Sequence, residues 1–390
     1  MKIENKIAIV IPVLRRGGGA EKIASWLSRE LTSKGWNVHF ITFSRRENEY
    51  DTGGVRHSIY SSYRRHSFFS LFIKARKISK ICKENSILKI LTFTEEASAV
   101  SLLAKFFGFR GKVFVAVRNN PAVRGFFSRL FIKIFYRFAD RVIANSRGMA
   151  DILQKEFSLK KISVIYNPCD ISANKEKAKE ILPENVADFI RQKFVFLNIG
   201  RMIEQKGQKY LLRAFKEVSD KNPNTVLIFL GSGVLEKELK EYTKSLGIEN
   251  KILFAGILEN VYPIIAKSDC FVFSSLWEGF PNVLLDALSL DKVVISTDCE
   301  TGPRELLLEK VTPASLVYPH YGEYGILIKT PIRGATSSKN GLSPEEKILA
   351  ESMLEAMRTN CWDGRYTQSS RAVNKLSFRE IYSLWEDALA

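Results

Sequence analysis

The sequence predicts an α/β protein made of two doubly wound domains, each with a parallel sheet. Three observations predict it. Strand-like apolar runs alternate with helical patterns. The alternation stops in a polar stretch at 171–192, read as a linker, and then restarts. The 390 residues suffice for two cores of ordinary size.

In the first half, KIAIVIPVL reads as a buried strand and GGAEKIASWLSRELTSKG as a helix ending near Gly35. NVHFITF, ILKILTF, KVFVAV and RVIANS read as further strands with helical stretches between them. After the linker, FVFLNIG is a strand and QKYLLRAFKEVSDKN a helix. TVLIFLG, KILFAGIL, CFVFSS and KVVIST are strands, and PNVLLDALSL is a helix. Residues 331–345 read as a loop and SFREIYSLWEDALA as a final amphipathic helix. The expected division is 1–175, 190–362 and a terminal segment 363–390.

Composition narrows the class. No apolar run reaches the ~18 residues of a membrane span. KIAIVIPVL is flanked by Glu4 and Arg15-Arg16 and lacks a small-residue cleavage site, so it reads as a strand and not a secretory signal. The five cysteines have no metal spacing and read as free thiols of a reducing, cytoplasmic compartment. The net charge of +17 is unevenly placed. Residues 1–170 hold 31 Lys/Arg against 13 Asp/Glu, and the remainder 28 against 29. All the surplus lies in the first half, which points to a directional anionic partner.

Four stretches have the pattern of binding chemistry. Gly17, Gly18 and Gly19 stand between a strand and a helix, where a ligand can approach bare backbone near free N–H groups. A flexible turn fits them equally well, and the dinucleotide spacing GxGxxG is absent. Arg201 follows a strand directly, with Lys206 five residues on. Ligands of parallel sheets bind at the carboxyl ends of strands. An Arg fork and a Lys point charge there can hold a diphosphate without metal. Gly231 and Gly233 bracket Ser232 after another strand, which suits close backbone approach or a plain tight turn.

The fourth stretch is WEGFPNVLLDAL, with Glu278 and Asp286. Pro281 suits the first helical position, leaving Gly279 or Phe280 as a cap without a side-chain acceptor. The N–H groups of Asn282 and Val283 are then open to an anion. A carboxylate beside that anion needs hydroxyl partners, and Asp286 lies at a second height along the helix. The fitting ligand has hydroxyls at both ends and a diphosphate between: a nucleotide sugar. Glu305 opens a later helix, where an acidic first turn accounts for it.

Residues 122–141 place Phe127, Leu130, Phe131, Ile134, Phe135 and Phe138 on one broad helical face, and Arg129, Lys133, Arg137 and Arg141 on another. Residues 63–83 have the same character. One such helix fits core packing with solvated cations. Two, with the lopsided charge, point to an anionic membrane surface. Phe127, Arg129, Phe131, Lys133 and Arg137 are the expected membrane or acceptor face, and the acceptor a lipid-linked saccharide or envelope glycolipid. The expected location is cytoplasmic, on the inner face of the cell membrane.

GGAE (Gly18–Glu21), GRxxxxKG (Arg201, Lys206, Gly207), GSG (231–233), EGFPNVLLDAL and VVISTDCETGP occur in this order. The chain resembles retaining nucleotide-sugar glycosyltransferases of glycosyltransferase family 4, of the envelope or lipid-linked glycan type. The resemblance implies a GT-B fold, two Rossmann-like domains facing a cleft, with a terminal helix crossing back to the first domain. It implies that Arg201 and Lys206 bind the donor diphosphate, that Glu278 contacts donor-sugar hydroxyls, and that Gly279 to Val283 line phosphate and sugar. Asp286 would bind the ribose, and Gly18 and Gly19 approach the donor. Arg118 and Asn119 stand in a segment that is often part of the catalytic cleft.

Three departures stand out: Asp286 where the family usually has Glu, Asp291 in place of a glycine, and Arg118 where many relatives have His. No DxD motif appears, so metal-independent transfer without a cofactor is expected. The resemblance favours a UDP-linked hexose or N-acetylhexosamine donor and leaves GDP-mannose open. Other readings are a GT-B epimerase or phosphorylase, or a basic nucleic-acid-binding protein. The last has no RNP, KH, zinc-finger or helix-turn-helix signature, so no nucleic-acid partner is expected.

Overall fold

The computed structural model describes residues 5–60, 68–310, 316–334, 341–358, 366 and 368–390. Residues 63–67 of the second basic stretch and 335–340 of the expected loop lie outside them. Contacts divide the chain into two units, Met1–Asn167 with Arg379–Ala390, and Pro168–Phe378.

The first unit runs β1 (Lys6–Ile11), α1 (Gly19–Ser33), β2 (Asn37–Thr42), β3 (Val55–Ser58), α2 (Phe68–Glu84), β4 (Lys89–Thr92), α3 (Glu95–Ala104), β5 (Lys112–Val117), α4 (Phe126–Phe135), β6 (Arg141–Ala144), α5 (Arg147–Lys155) and β7 (Ile162–Val164). Its seven strands lie in the order β3-β2-β1-β4-β5-β6-β7, all parallel. Central strands such as KIAIVI are buried on both faces, so they read as unbroken apolar runs and not as alternation. The edge strand β3, VRHS, has no apolar run and leaves no strand signal in the sequence.

The second unit begins with α6 (Ile171–Lys177) and α7 (Glu184–Ile190). Residues 171–192, expected as a linker, are thus mostly helical and belong to this unit. Asp170 caps α6 by accepting from the Ala173 N–H, and Asn174 of that helix donates to the Ser289 hydroxyl at 3.0 Å. There follow β8 (Phe194–Ile199), α8 (Gln208–Lys221), β9 (Thr225–Leu230), α9 (Glu236–Ser245), β10 (Ile252–Gly256), α10 (Tyr262–Lys267), β11 (Cys270–Phe273), α11 (Asn282–Ser289), β12 (Val293–Thr297), α12 (Pro303–Leu307), β13 (His320–Tyr321), β14 (Ile326–Ile328) and α13 (Pro344–Ala356). The strand order is β10-β9-β8-β11-β12-β14-β13, antiparallel only between β13 and β14. Helix α13 starts with a capping box, Ser343 with Glu346, and Pro344 at its first position.

The last helix, α14 (Phe378–Leu389), is counted with the first unit from Arg379 on. Its Trp385 is fully buried, 5.8 Å from the Phe93 ring. In each sheet the first strand lies between the second strand and a later one: β1 between β2 and β4, β8 between β9 and β11. The chain reverses its winding there, and the loops after the flanking strands diverge to leave a crevice at their carboxyl ends.

Candidate functional site

The crevice of the second unit lies above β8 and β11. Arg201 and Lys206 leave β8, and Glu278 leaves β11. Lys206 Nζ donates to Glu278 Oε1 at 2.6 Å, with the two side chains 15% and 12% exposed. The fold thus joins two predicted residues that are 72 positions apart. The two loops are also stitched through the backbone. Gln205 Nε2 donates to the Trp277 carbonyl, the Leu276 N–H to the Gln205 carbonyl, and Ser274 Oγ to the Lys206 carbonyl, each at 2.8 Å. Arg201 is exposed and makes no ion pair among the described residues. One cation is therefore fixed against a carboxylate, and the other projects freely.

The glycines explain how the loops come so close. A Cβ on Gly231 would overlap the Gly200 carbonyl oxygen, and one on Gly207 that of Ser274. At Gly231 the backbone of the Arg201 loop comes close, with Met202 N–H donating to the Ser232 carbonyl at 3.0 Å.

Helix α11 begins one residue later than expected. Pro281 itself is the N-cap, and no side chain caps this end. Gly279, Phe280 and Pro281 are buried, while Asn282 and Val283 are partly exposed. The first turn therefore carries positive potential close to the Lys206–Glu278 pair. Asp286 is buried and accepts from the Tyr262 hydroxyl at 3.0 Å. Burial, followed by the Asp286 charge, pushes that hydroxyl's pKa far above its ordinary range, so it stays a donor. The Glu278 carbonyl accepts from the Thr301 hydroxyl. The Thr301 loop is tied down by Asp298, which pairs with Arg304 and accepts from the Tyr318 hydroxyl at 2.6 Å. Sequence reasoning named none of Gln205, Ser274, Tyr262, Asp298 or Thr301: all but Asp298, which pairs with Arg304 six residues on, act on partners from another loop. Glu305 lies in the first turn of α12, partly buried.

Two family descriptions match the chain: Glycosyltransferase Family 4 over residues 17–173 and Glycosyl transferases group 1 over 183–321. An uncharacterized glycosyltransferase of Methanocaldococcus jannaschii is 36% identical over 336 residues, covering 82% of this chain and 83% of the relative. The chain belongs to glycosyltransferase family 4. A second relative is the Campylobacter jejuni N-acetylgalactosamine-N,N'-diacetylbacillosaminyl-diphospho-undecaprenol 4-alpha-N-acetylgalactosaminyltransferase. It is 29% identical over 302 residues, covering 74% of this chain and 80% of that one. Among solved structures, Anabaena Alr3699/HepE in complex with UDP and glucose aligns with a TM-score of 0.75 at 20% identity, over 98% of this chain and 99% of that one. The fold of this glycosyltransferase is GT-B: two Rossmann-like units with parallel sheets.

The remaining candidates lie in the first unit. Gly18 is the N-cap of α1, without a side-chain cap, and Gly19 is the first helical residue. Asn119 Oδ1 accepts from the Asn120 N–H at 3.0 Å. Arg118 donates to Asn167 Oδ1. On α4 the expected membrane face is corrected in part. Phe131 is partly buried against the unit's core and stacks on Phe135 at 4.5 Å. Arg129 remains exposed while it pairs with Glu156 at 3.1 Å and donates to the Ala122 carbonyl at 2.9 Å. Phe127, 84% exposed, Lys133 and Arg137 do face solvent, and so do Phe126, Leu130, Ile134 and Phe138. Phe106, in a short 3-10 turn after α3, is 73% exposed, a position that periodicity does not single out.

Proposed function

We propose that this glycosyltransferase moves a hexosyl or N-acetylhexosaminyl group from a UDP-sugar to a saccharide carried on a lipid diphosphate, with retention of configuration and without a metal. The carrying observation is the Lys206–Glu278 pair at the switch point of the second sheet, beside the start of α11. Support also comes from the relatives: one is named for a diphospho-undecaprenol substrate and one structure holds UDP and glucose. Glu278 accepts from sugar hydroxyls. The bond from sugar C1 to diphosphate oxygen breaks, the diphosphate leaves with the bonding pair, and an acceptor hydroxyl oxygen takes its place on C1 as its proton passes to the departing diphosphate oxygen. Arg201, Lys206 and the first turn of α11 stabilise the departing charge. Asp286, held by Tyr262, lies deeper along the helix for the ribose.

Release of UDP, measured with and without a lipid-diphosphate saccharide in excess EDTA, tests this reading. Acceptor-dependent release that EDTA leaves undiminished is expected. Release indifferent to acceptor would favour an epimerase or hydrolase. Complete loss rescued only by Mg²⁺ or Mn²⁺ would overturn metal independence.

The proposed workplace is the cytoplasmic face of an anionic membrane. Among the described residues no helix is long and apolar enough to cross one. Phe126 and Phe127, 73% and 84% exposed, lead an apolar edge bordered by Lys133 and Arg137, the composition of an interfacial contact. Replacing both phenylalanines by serine should weaken sedimentation with phosphatidylglycerol vesicles at least about tenfold and leave Tm nearly unchanged. Equal binding by this double variant, or no binding of the parent at low salt, would refute the contact.

A further inference from the structure

A second cluster of polar groups sits at the carboxyl ends of three neighbouring strands of the first unit. Val117 of β5 pairs with Ala144 of β6, and Ala144 with Val164 of β7. Arg118 and Asn145 follow the first two strands directly, and Asn167 comes shortly after the third. Phe93 follows the next strand over, β4, with its ring centroid 5.8 Å from the Arg118 guanidinium carbon. Arg118 Nη2 donates to Asn167 Oδ1, and Asn145 Nδ2 donates to the Arg118 carbonyl at 3.3 Å. Arg118 Nη1 and Asn145 Oδ1 are buried without a hydrogen-bond partner among the described residues.

This is an expensive arrangement. Burial alone lowers the guanidinium pKa to about 9, and no carboxylate among the described residues pairs with it. A buried cation without a counter-ion destabilises the fold. The surrounding surplus of positive charge makes it worse. Helix α5 starts beside it, capped by Ser146, which accepts from the Met149 N–H at 3.0 Å, and its N-terminal end adds further positive potential. The unmatched guanidinium nitrogen and the helix start supply positive charge to a tetrahedral oxyanion, and the unpartnered Asn145 Oδ1 can accept only from a hydroxyl borne beside it.

We infer that Arg118, Asn145 and Asn167 form a second anion site of this enzyme, which takes a phosphoryl group of one of its substrates. The phosphoryl identity rests on the transfer reading above; the anion site itself does not. Its source is the lipid diphosphate of the acceptor, because the donor diphosphate is already taken up by Arg201, Lys206 and the first turn of α11.

The test is Arg118→Met, compared with the parent in two measurements. In the absence of ligand, removal of the uncompensated charge should raise Tm by about 2–4 °C. Both proteins are then titrated with inorganic pyrophosphate in a Lys206→Met background, which disables the cation of the other site. The parent should be stabilised and the Arg118→Met protein should not. In steady-state assays of the otherwise native enzyme, a KM raised at least about tenfold (1.4 kcal/mol per tenfold) for the lipid-diphosphate acceptor alone assigns the site to the acceptor. The same rise for the UDP-sugar alone would overturn that assignment. A lower ligand-free Tm with an unchanged pyrophosphate response would overturn the site, because Arg118 is then a structural brace. An unchanged KM for both substrates, with pyrophosphate binding intact, overturns it as well. Loss of the pyrophosphate response with no measurable transfer leaves the anion site standing and sinks the transfer reading. Arg118→Gln, which removes the charge but keeps a polar amide, takes the place of the methionine variant if that one does not fold.

Discussion

Replacing Lys206 by alanine is expected to lower the rate of transfer at saturating donor about a hundredfold or more. Removal of one fixed group that stabilises developing charge typically costs 10²–10³ in kcat, about 2.7–4 kcal/mol. Lys206 is such a group by position. It is held 2.6 Å from Glu278, mostly buried, at the carboxyl end of β8 where the sheet's winding reverses. Its loss also leaves Glu278 mostly buried and uncompensated, a penalty of about 1–3 kcal/mol once partial solvent screening is allowed for. A lower Tm should therefore accompany the lower rate. Glu278→Gln separates the two effects. The amide keeps the shape and an acceptor oxygen, so the fold survives, while the charge that draws sugar hydroxyls is gone. Initial rates of nucleotide release and melting curves for both variants decide the matter. If either variant keeps more than about a third of the parental rate, the pair is a structural strut and the donor site lies elsewhere.

Gly207→Ala is expected to be a strongly damaging small substitution in the second unit. The residue has φ +62°, and an added Cβ would overlap the Ser274 carbonyl oxygen, which is backbone and cannot step aside. The left-handed conformation alone costs roughly 1–2 kcal/mol for a residue with a side chain. The overlap adds strain of similar size, and the loop that carries Lys206 must shift with it. Gly247 is the matched control. It has φ +67°, with nothing within 4 Å of the added atom. Gly247→Ala should show only the conformational part. Gly207→Ala should fall at least about 2 kcal/mol further in denaturant unfolding and lose most of its transfer rate. Equal losses for the two would remove the steric account of the loop contact.

What the sequence disclosed follows from where each signal is local. The strands that follow unbroken apolar runs were legible, and β3, a partly exposed edge strand, was not. Lys206 and Glu278 were legible as chemistry because both follow strands, yet only the sheet order brings them together. Gly231 showed that something approaches closely and not what, and the visitor is the backbone of Gly200. Asp286 gave no sign of Tyr262, because a hydrogen bond across 24 residues leaves no spacing to read. Helix α4 marks the limit of periodicity: its phenylalanines surround so much of the helix that the pattern does not choose which of them face the core. Phe131 and Phe135 do, and Phe126 and Phe127 do not. At 171–192 polarity hid two helices, although Asp170 stood in a capping position. The Ser343–Glu346 box, a local signal, lay within reach of sequence reading.

The membership of α14 sets an order of events at the ribosome. Residues 1–167 emerge first, but their unit also includes 379–390, and Trp385 fills a fully buried place beside Phe93. Domains fold as units during synthesis, the earlier ones first. Pro168–Phe378 is a contiguous stretch with all its own strands, whereas the core around Phe93 is complete only once residues 379–390 have been made.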